Sequence, residues 1–264
     1  MTLLVVLVAI LAPVLSPQDP TLQDAKIRLK APMWAEDGSS EFPLGTDQLG
    51  RDLLSRIFFG ARISLIVAVC AVFLAGMFGV ILGLISGYLE GRIETFIMGI
   101  ADAQLAFPSI LLAVAIIVVL GPSFTNVLLV LTISGWVIFA RLVRGTTLSV
   151  KQTDFVLASR SLGASDTRII FQHILPHVIT PVIAVANIQL GQMILAESAL
   201  SFLGLGVQPP IPTWGGMVGD GRVYIWQAPW LSVFPGLAIV FTVLGITYLG
   251  DLIRVTLDPK YARR

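Results

Sequence analysis

The chain has 264 residues, 56% of them hydrophobic and only 12% charged, with a formal net charge of +1. An ordinary soluble domain carries about 25% charged residues, and a water-soluble globule of this size lacks the polar cover to hide so much apolar surface; disorder, which needs an apolar-poor and highly charged chain, is excluded as well. The near-zero net charge argues against a nucleic-acid-binding surface, and the single Cys70 excludes an intrachain disulfide framework or a multi-cysteine metal site.

These proportions are those of an all-α integral membrane protein, and charge-free windows place its spans. Thr2–Leu15 is apolar over 14 residues, about 21 Å of helix, short for a hydrocarbon core of about 30 Å. It has no basic leading region and no small-residue cleavage site, so residues 1–16 read as a first transmembrane helix, truncated or unusually short at its cytoplasmic start. Residues 17–62 are polar and extracytoplasmic. They end in an amphipathic stretch with Leu49, Leu53, Ile57 and Ala61 on one face, expected to be capped by Thr46 or Asp47 and to lie along the membrane surface.

Further along, Ile63–Leu89, Ala103–Ala140, Ile169–Ala196 and Val223–Gly250 lack charged residues over 27, 38, 28 and 28 positions. The 38-residue window is too long for one span, and Gly121-Pro122-Ser123 divides it into a hairpin. Helices are expected near 63–87, 104–120, 124–143, 178–203 and 232–252. With the first helix they make about six spans, five of them in a core over 63–252. Long continuous apolar runs favour helices over the short alternating strands of a barrel.

Lysine and arginine set the orientation. Residues 141–168 hold Arg141, Arg144, Lys151, Arg160 and Arg168 against Asp154 and Asp166, and the tail, 253–264, ends Lys260, Arg263, Arg264. Both are placed in the cytoplasm, with both termini inside. Residues 204–231 then lie outside. Rich in glycine and proline, and carrying Trp214, Trp226 and Trp230, they read as an ordered non-helical loop with interfacial tryptophan anchors.

The most informative segment lies in the cytoplasmic loop 144–176. Thr153 or Asp154 can cap a short helix with Phe155, Ala158 and Leu162 on one face. Gly163 falls where a left-handed residue ends a helix, and Ser165 or Asp166 can cap a second helix that Pro176 stops. The bland reading is a surface helix pair that only connects two spans. Among other features, His173 and His177 stand four apart, but no glutamate lies between them and Pro176 interrupts the turn, so no metal is assigned. None of the four lysines follows a glycine, so a Walker A phosphate loop is absent.

Glu197 is the only carboxylate deep in a span and is a functional suspect for that reason, with Asn187, Gln189 and Gln192 before it suggesting a face toward a polar path or a partner subunit. Gly76, Gly79, Gly83 and Gly87 line one face of the second span, suited to close helix packing against the fifth span or a partner.

The cytoplasmic loop resembles the EAA motif of ABC-transporter permeases, which runs Glu-Ala-Ala, three residues, Gly, nine residues, Leu-Pro. Here stand Leu157-Ala158-Ser159, Gly163 and Leu175-Pro176, with Leu157 where the family has its glutamate and Ser159 where it has its second alanine. Four more segments are similar to the "C"-type subunit of the dipeptide/oligopeptide/nickel branch. They are Pro43-Leu44-Gly45-Thr46-Asp47 with Gly50-Arg51-Asp52, Asp102 with Ala106-Phe107-Pro108, Ser201–Gly206 with Pro209-Pro210 and Trp214-Gly215, and Gly250-Asp251 with Leu257-Asp258-Pro259. The resemblance covers residues 42–260.

It implies a type I ABC importer permease of MetI-like fold in a cell inner membrane, forming half of a pathway for peptides or a similar small solute. It implies as partners a second permease in a heterodimer, two cytoplasmic ATPases that use ATP and Mg, and an extracytoplasmic solute-binding protein; no cofactor is expected on this chain. It places Phe155, Leu157, Ala158, Ser159, Leu162, Gly163 and Ala164 in the ATPase-coupling loop and favours a structural role for Glu197. The alternative, a self-sufficient ion-coupled carrier, would use Glu197 and Asp102 as proton sites. A membrane-embedded enzyme ranks last, since no nucleophile–base pair or metal set stands out.

Overall fold

The computed structural model describes residues 2–257. Asp258–Arg264, which hold the end of the Leu257-Asp258-Pro259 match and most of the tail, lie outside the described residues. The described residues are helical with no strand beyond one isolated bridge, Thr46 to Asp52.

Helix α1 is Thr2–Leu15, α2 is Leu53–Leu89, α3 is Gly91–Leu105, α4 is Ser109–Leu120 and α5 is Phe124–Lys151. After them come α6 (Asp154–Ser161), α7 (Asp166–Arg168), a π-helical stretch Ile169–Ile174, α8 (Leu175–Phe202), α9 (Trp214–Gly221) and α10 (Trp230–Leu257). Four continuous helices are long and apolar enough to cross a membrane. The pair α3 and α4, bent by 91° at the break between them, is long and apolar enough for a fifth only if the two are taken together as one broken span. That makes up to five candidate spans among the described residues, against the six expected; α1, with 14 residues, is shorter than the other four.

The described residues form two compact units, 2–70, 114–130 and 190–249 in one, 71–113, 131–189 and 250–257 in the other. In the first, the start of α2 departs from expectation. Residues 53–61 are no separate surface helix but the opening turns of a single 37-residue helix. Its cap is Asp52, whose Oδ2 accepts from the Ser55 amide at 2.7 Å, because Thr46 and Asp47 are engaged elsewhere, by the Ile27 carbonyl and by Arg51.

The amphipathic face also meets protein. Leu53 and Ala61 are buried, Leu53 with Met217, Ala228 and Leu231, and Ala61 with Trp214 and Ala9. An apolar stripe has to be covered, and here the 204–231 segment covers it. That segment is not wholly irregular, since α9 lies within it, capped by Thr213, whose Oγ1 accepts from the Gly216 amide at 3.1 Å. Trp214 is no membrane anchor: it is buried, and its indole N–H donates to the Ile57 carbonyl at 2.9 Å.

In the second unit, the expected 104–120 helix is broken at Ala106-Phe107-Pro108. A residue before proline avoids the helical region, and proline has no N–H to continue the ladder, so α3 stops and α4 restarts at Ser109. The break between α4 and α5, which belongs to the first unit, falls at Gly121-Pro122-Ser123 as expected; Ser123 Oγ accepts from the Asn126 amide at 3.1 Å.

Candidate functional site

The loop between α5 and α8 folds as helix, turn, helix. Thr153 occupies the cap position of α6, but its hydroxyl donates back to the Val150 carbonyl at 2.6 Å instead of capping. The helix ends in a left-handed glycine: Gly163 has φ +84°. The Ala164 amide bonds to Ser159 O at 3.1 Å and the Gly163 amide to Arg160 O at 3.0 Å, the paired pattern that satisfies the last carbonyls of a helix. Ser165 then caps α7, accepting from the Arg168 amide at 3.4 Å.

Pro176 does not end the second helix. The chain passes through the π-helical stretch Ile169–Ile174 and runs on through Pro176 to Phe202. A proline lacks an N–H and crowds the carbonyl four residues back; wider winding before it relieves both problems. The second arm of the hairpin is therefore one continuous helix with the following span, 37 residues from Asp166 to Phe202.

Phe155, Leu157, Ala158, Leu162 and Gly163 are all exposed, Leu162 at 88%, while Ser159 and Ala164 are half-buried. The residue that seats α6 is one the sequence did not single out, Val156. It is 2% exposed and joins a cluster with Leu84, Tyr88, Val143, Ile169, Ile174 and Val178. Its neighbours in sequence are equally apolar, so only packing distinguishes it. The histidines stiffen the hairpin: His173 Nε2 lies 3.1 Å from Ser159 Oγ, and the His177 ring lies 5.6 Å from that of Phe155. Among the described residues no three His, Cys, Asp or Glu side chains converge on a metal position.

The polar residues of α8 do not share a face. Gln189 and Glu197 are buried, two turns apart, Asn187 is half-buried, and Gln192 is exposed on the other side. Glu197 accepts hydrogen bonds from Ser201 Oγ at 2.7 Å and Ser64 Oγ at 3.1 Å. A Cβ on Gly206 would meet Ser201, and one on Gly215 would meet Ser198, so this carboxylate sits under the glycine-rich segment. Asp102 forms an ion pair with Arg141.

The glycine face of α2 packs on α5, not on α8. A Cβ at Gly79 would lie 2.4 Å from Phe139 Cβ, one at Gly83 2.6 Å from Val143 Cβ, and one at Gly87 2.8 Å from Thr147 Cβ; Gly76 keeps an ordinary 3.8 Å. Backbones this close replace the hydrophobic drive that lipid cannot supply.

The sequence profile of the family described as "Binding-protein-dependent transport system inner membrane component" matches residues 79–263, including the hairpin, α8 and α10. The chain belongs to this family. The permease is 43% identical over 258 residues, 98% of its length and 85% of the relative's, to the di/tripeptide transport system permease protein DppC of Pseudomonas aeruginosa. It is 45% identical over 225 residues to the glutathione transport system permease protein GsiD of Pectobacterium atrosepticum, covering 85% of the permease and 75% of the relative. A solved inward-facing structure of the MetNI methionine ABC transporter superposes with a TM-score of 0.57 at 22% identity, over 74% of the permease and 94% of that chain. The fold is therefore MetI-like, and the permease is a multi-pass subunit of an ABC import system; a self-sufficient ion-coupled carrier is not favoured.

Proposed function

We propose that the permease forms half of an import pathway for di- and tripeptides or a similarly small peptide such as glutathione, the solutes named for its relatives. In this reading α6 is the element that a cytoplasmic ATPase grips. The observation that carries it is the contrast within one short helix. Val156 is locked into the core while Phe155, Leu157 and Leu162 stand exposed on a segment stiffened by the Gly163 turn and continuous with a membrane span. An apolar surface held out this rigidly serves as a knob for a partner's pocket, and closure of that partner gives the membrane helices two states to move between.

ATP and Mg belong to a pair of ATPase subunits in this proposal, and no cofactor to this chain. A second, different permease completes the pathway, and a solute-binding protein delivers cargo to the face bearing residues 204–231. The hairpin and both termini lie in the cytoplasm. Leu157 in place of the family's glutamate makes the grip apolar where relatives of that pattern offer a carboxylate.

The test is extraction from native membrane in mild detergent, followed by reconstitution. A second permease and two ATPase chains are expected to copurify, with peptide uptake into liposomes requiring ATP and binding protein. Full uptake by the isolated chain without ATP would overturn the proposal.

A further inference from the structure

The phenol of Tyr88 joins segments that lie 72 and 78 residues further along the chain. Tyr88 is in the last turn of α2 and 4% exposed, its ring within the cluster that seats Val156. The hydroxyl donates to Asp166 Oδ1 at the start of α7 and accepts from Arg160 Nη2 of α6 at 3.4 Å. Arg160 and Asp166 stand on opposite sides of the Gly163 turn and approach each other to 3.7 Å. Lys151, closing α5, donates to the Tyr88 carbonyl at 2.6 Å, with its ammonium 5.1 Å from the ring centre. One side chain at the end of α2 thus holds both arms of the hairpin, while the backbone beside it holds the end of α5.

The burial is one-sided. The side chains of Arg160 and Asp166 are 51% and 69% exposed, so solvent would accept them in many positions. Tyr88 is fixed by packing, and its hydroxyl is the point at which they stop. A hairpin joined only to α8 would pass its displacement to that helix alone. This one is also tied to α2, whose glycine face locks it to α5.

We propose that Tyr88 is a positioning residue that delivers movement of the α6–α7 hairpin to α2, so that one push on α6 shifts α2 and α8 together. The inference rests on the docking role proposed for α6. A tyrosine that only filled the core would be replaceable by phenylalanine with coupling intact, because the ring stays packed. A coupling tyrosine would not.

The experiment uses the complete transporter with its binding protein in liposomes and reads peptide taken up per ATP hydrolysed. Tyr88→Phe and Asp166→Ala are each expected to lower this ratio by about three- to tenfold, the equilibrium shift that loss of the shared Tyr88–Asp166 hydrogen bond allows, with ATP hydrolysis retained. Asp166→Asn, whose amide oxygen still accepts the phenolic proton, is expected to stay within about twofold of wild type. The double variant Tyr88→Phe/Asp166→Ala is expected to lose clearly less than the two single losses combined, since both remove the Tyr88–Asp166 bond and differ only in their contacts to Arg160. A wild-type ratio in Tyr88→Phe, or additive losses in the double variant, would overturn the proposal. Should Tyr88→Phe not assemble, the pair Asp166→Ala and Asp166→Asn decides alone, equal ratios in the two overturning it. Absence of ATP-driven uptake in the unmodified transporter would instead sink the functional reading on which the proposal stands.

Discussion

Ser64 of α2 donates from its hydroxyl to Oε2 of Glu197 in α8 at 3.1 Å, and both side chains are fully buried. With Ser201 on its other oxygen, the carboxylate bonds two hydroxyls beneath the glycine-rich segment, a bracing position rather than an open one. Ser64→Ala is expected to cost about 1 kcal/mol, the scale of a hydrogen bond between membrane helices. Glu197→Ala, which leaves a cavity and two hydroxyls without their acceptor, is expected to cost about 2–4 kcal/mol, read as thermal stability of the purified assembly. Glu197→Gln keeps an acceptor oxygen and is expected to retain uptake. Loss of uptake in that variant at unchanged stability would assign the carboxylate to transport itself.

The α2–α5 contact has a graded prediction. At Gly83 an added Cβ would fall 2.6 Å from Val143 Cβ, whereas at Gly76 the nearest atom is 3.8 Å away. Gly83→Val is expected to destabilise by about 1–3 kcal/mol or more through forced separation of the helices, and Gly76→Ala to be near neutral. Equal melting temperatures for the two variants would contradict the packing described.

At Gly163 the constraint is conformational, because φ is +84° and no atom lies within 4 Å of an added Cβ. Gly163→Val is expected to strain the turn by about 1–3 kcal/mol and uncouple ATP hydrolysis from uptake, while the chain still inserts in the membrane. Gly163→Asn, a residue that visits the left-handed region more readily, is expected to restore much of the coupling. Parallel assays of uptake and ATP hydrolysis separate the two.

Glu90 stands between α2 and α3, and the Lys151 ammonium at the end of α5, 2.7 Å from its carboxylate, holds that carboxyl below its ordinary value of 4.5. A carboxyl depressed in the folded state stabilises it above the unfolded pKa, and the contribution fades as pH falls through the lowered native value. Thermal melts below pH 4.5 are expected to decline less steeply in Glu90→Gln than in wild type. The difference should be small and shrink with salt, because the pair faces solvent.

Orientation is tested by labelling in a Cys70→Ser background. Trp226, 95% exposed, and Ser161, also exposed, suit cysteine substitution, unlike the buried Thr213. Trp226→Cys is expected to react with an impermeant maleimide in intact cells, and Ser161→Cys only after the membrane is opened. The reverse pattern would invert the assigned topology.

The sequence by itself determined where helices run and several places where they break. Lipid offers the backbone no hydrogen-bond partner, so charge-free windows have to be helical. Gly121-Pro122-Ser123 and Gly163 mark their breaks through chemistry confined to a few neighbouring residues. Tertiary structure decided what each face meets. It turned the 53–61 stripe toward Trp214 and Met217, put the glycines of α2 on α5, sent Gln192 outward from a helix whose Glu197 points in, and carried the chain through Pro176. It also brought Tyr88 to Arg160 and Asp166. The reason is one of range: periodicity and turn residues act within about one or two helical turns, whereas the choice among apolar faces depends on residues 72 to 133 positions away that come close only when the helices pack.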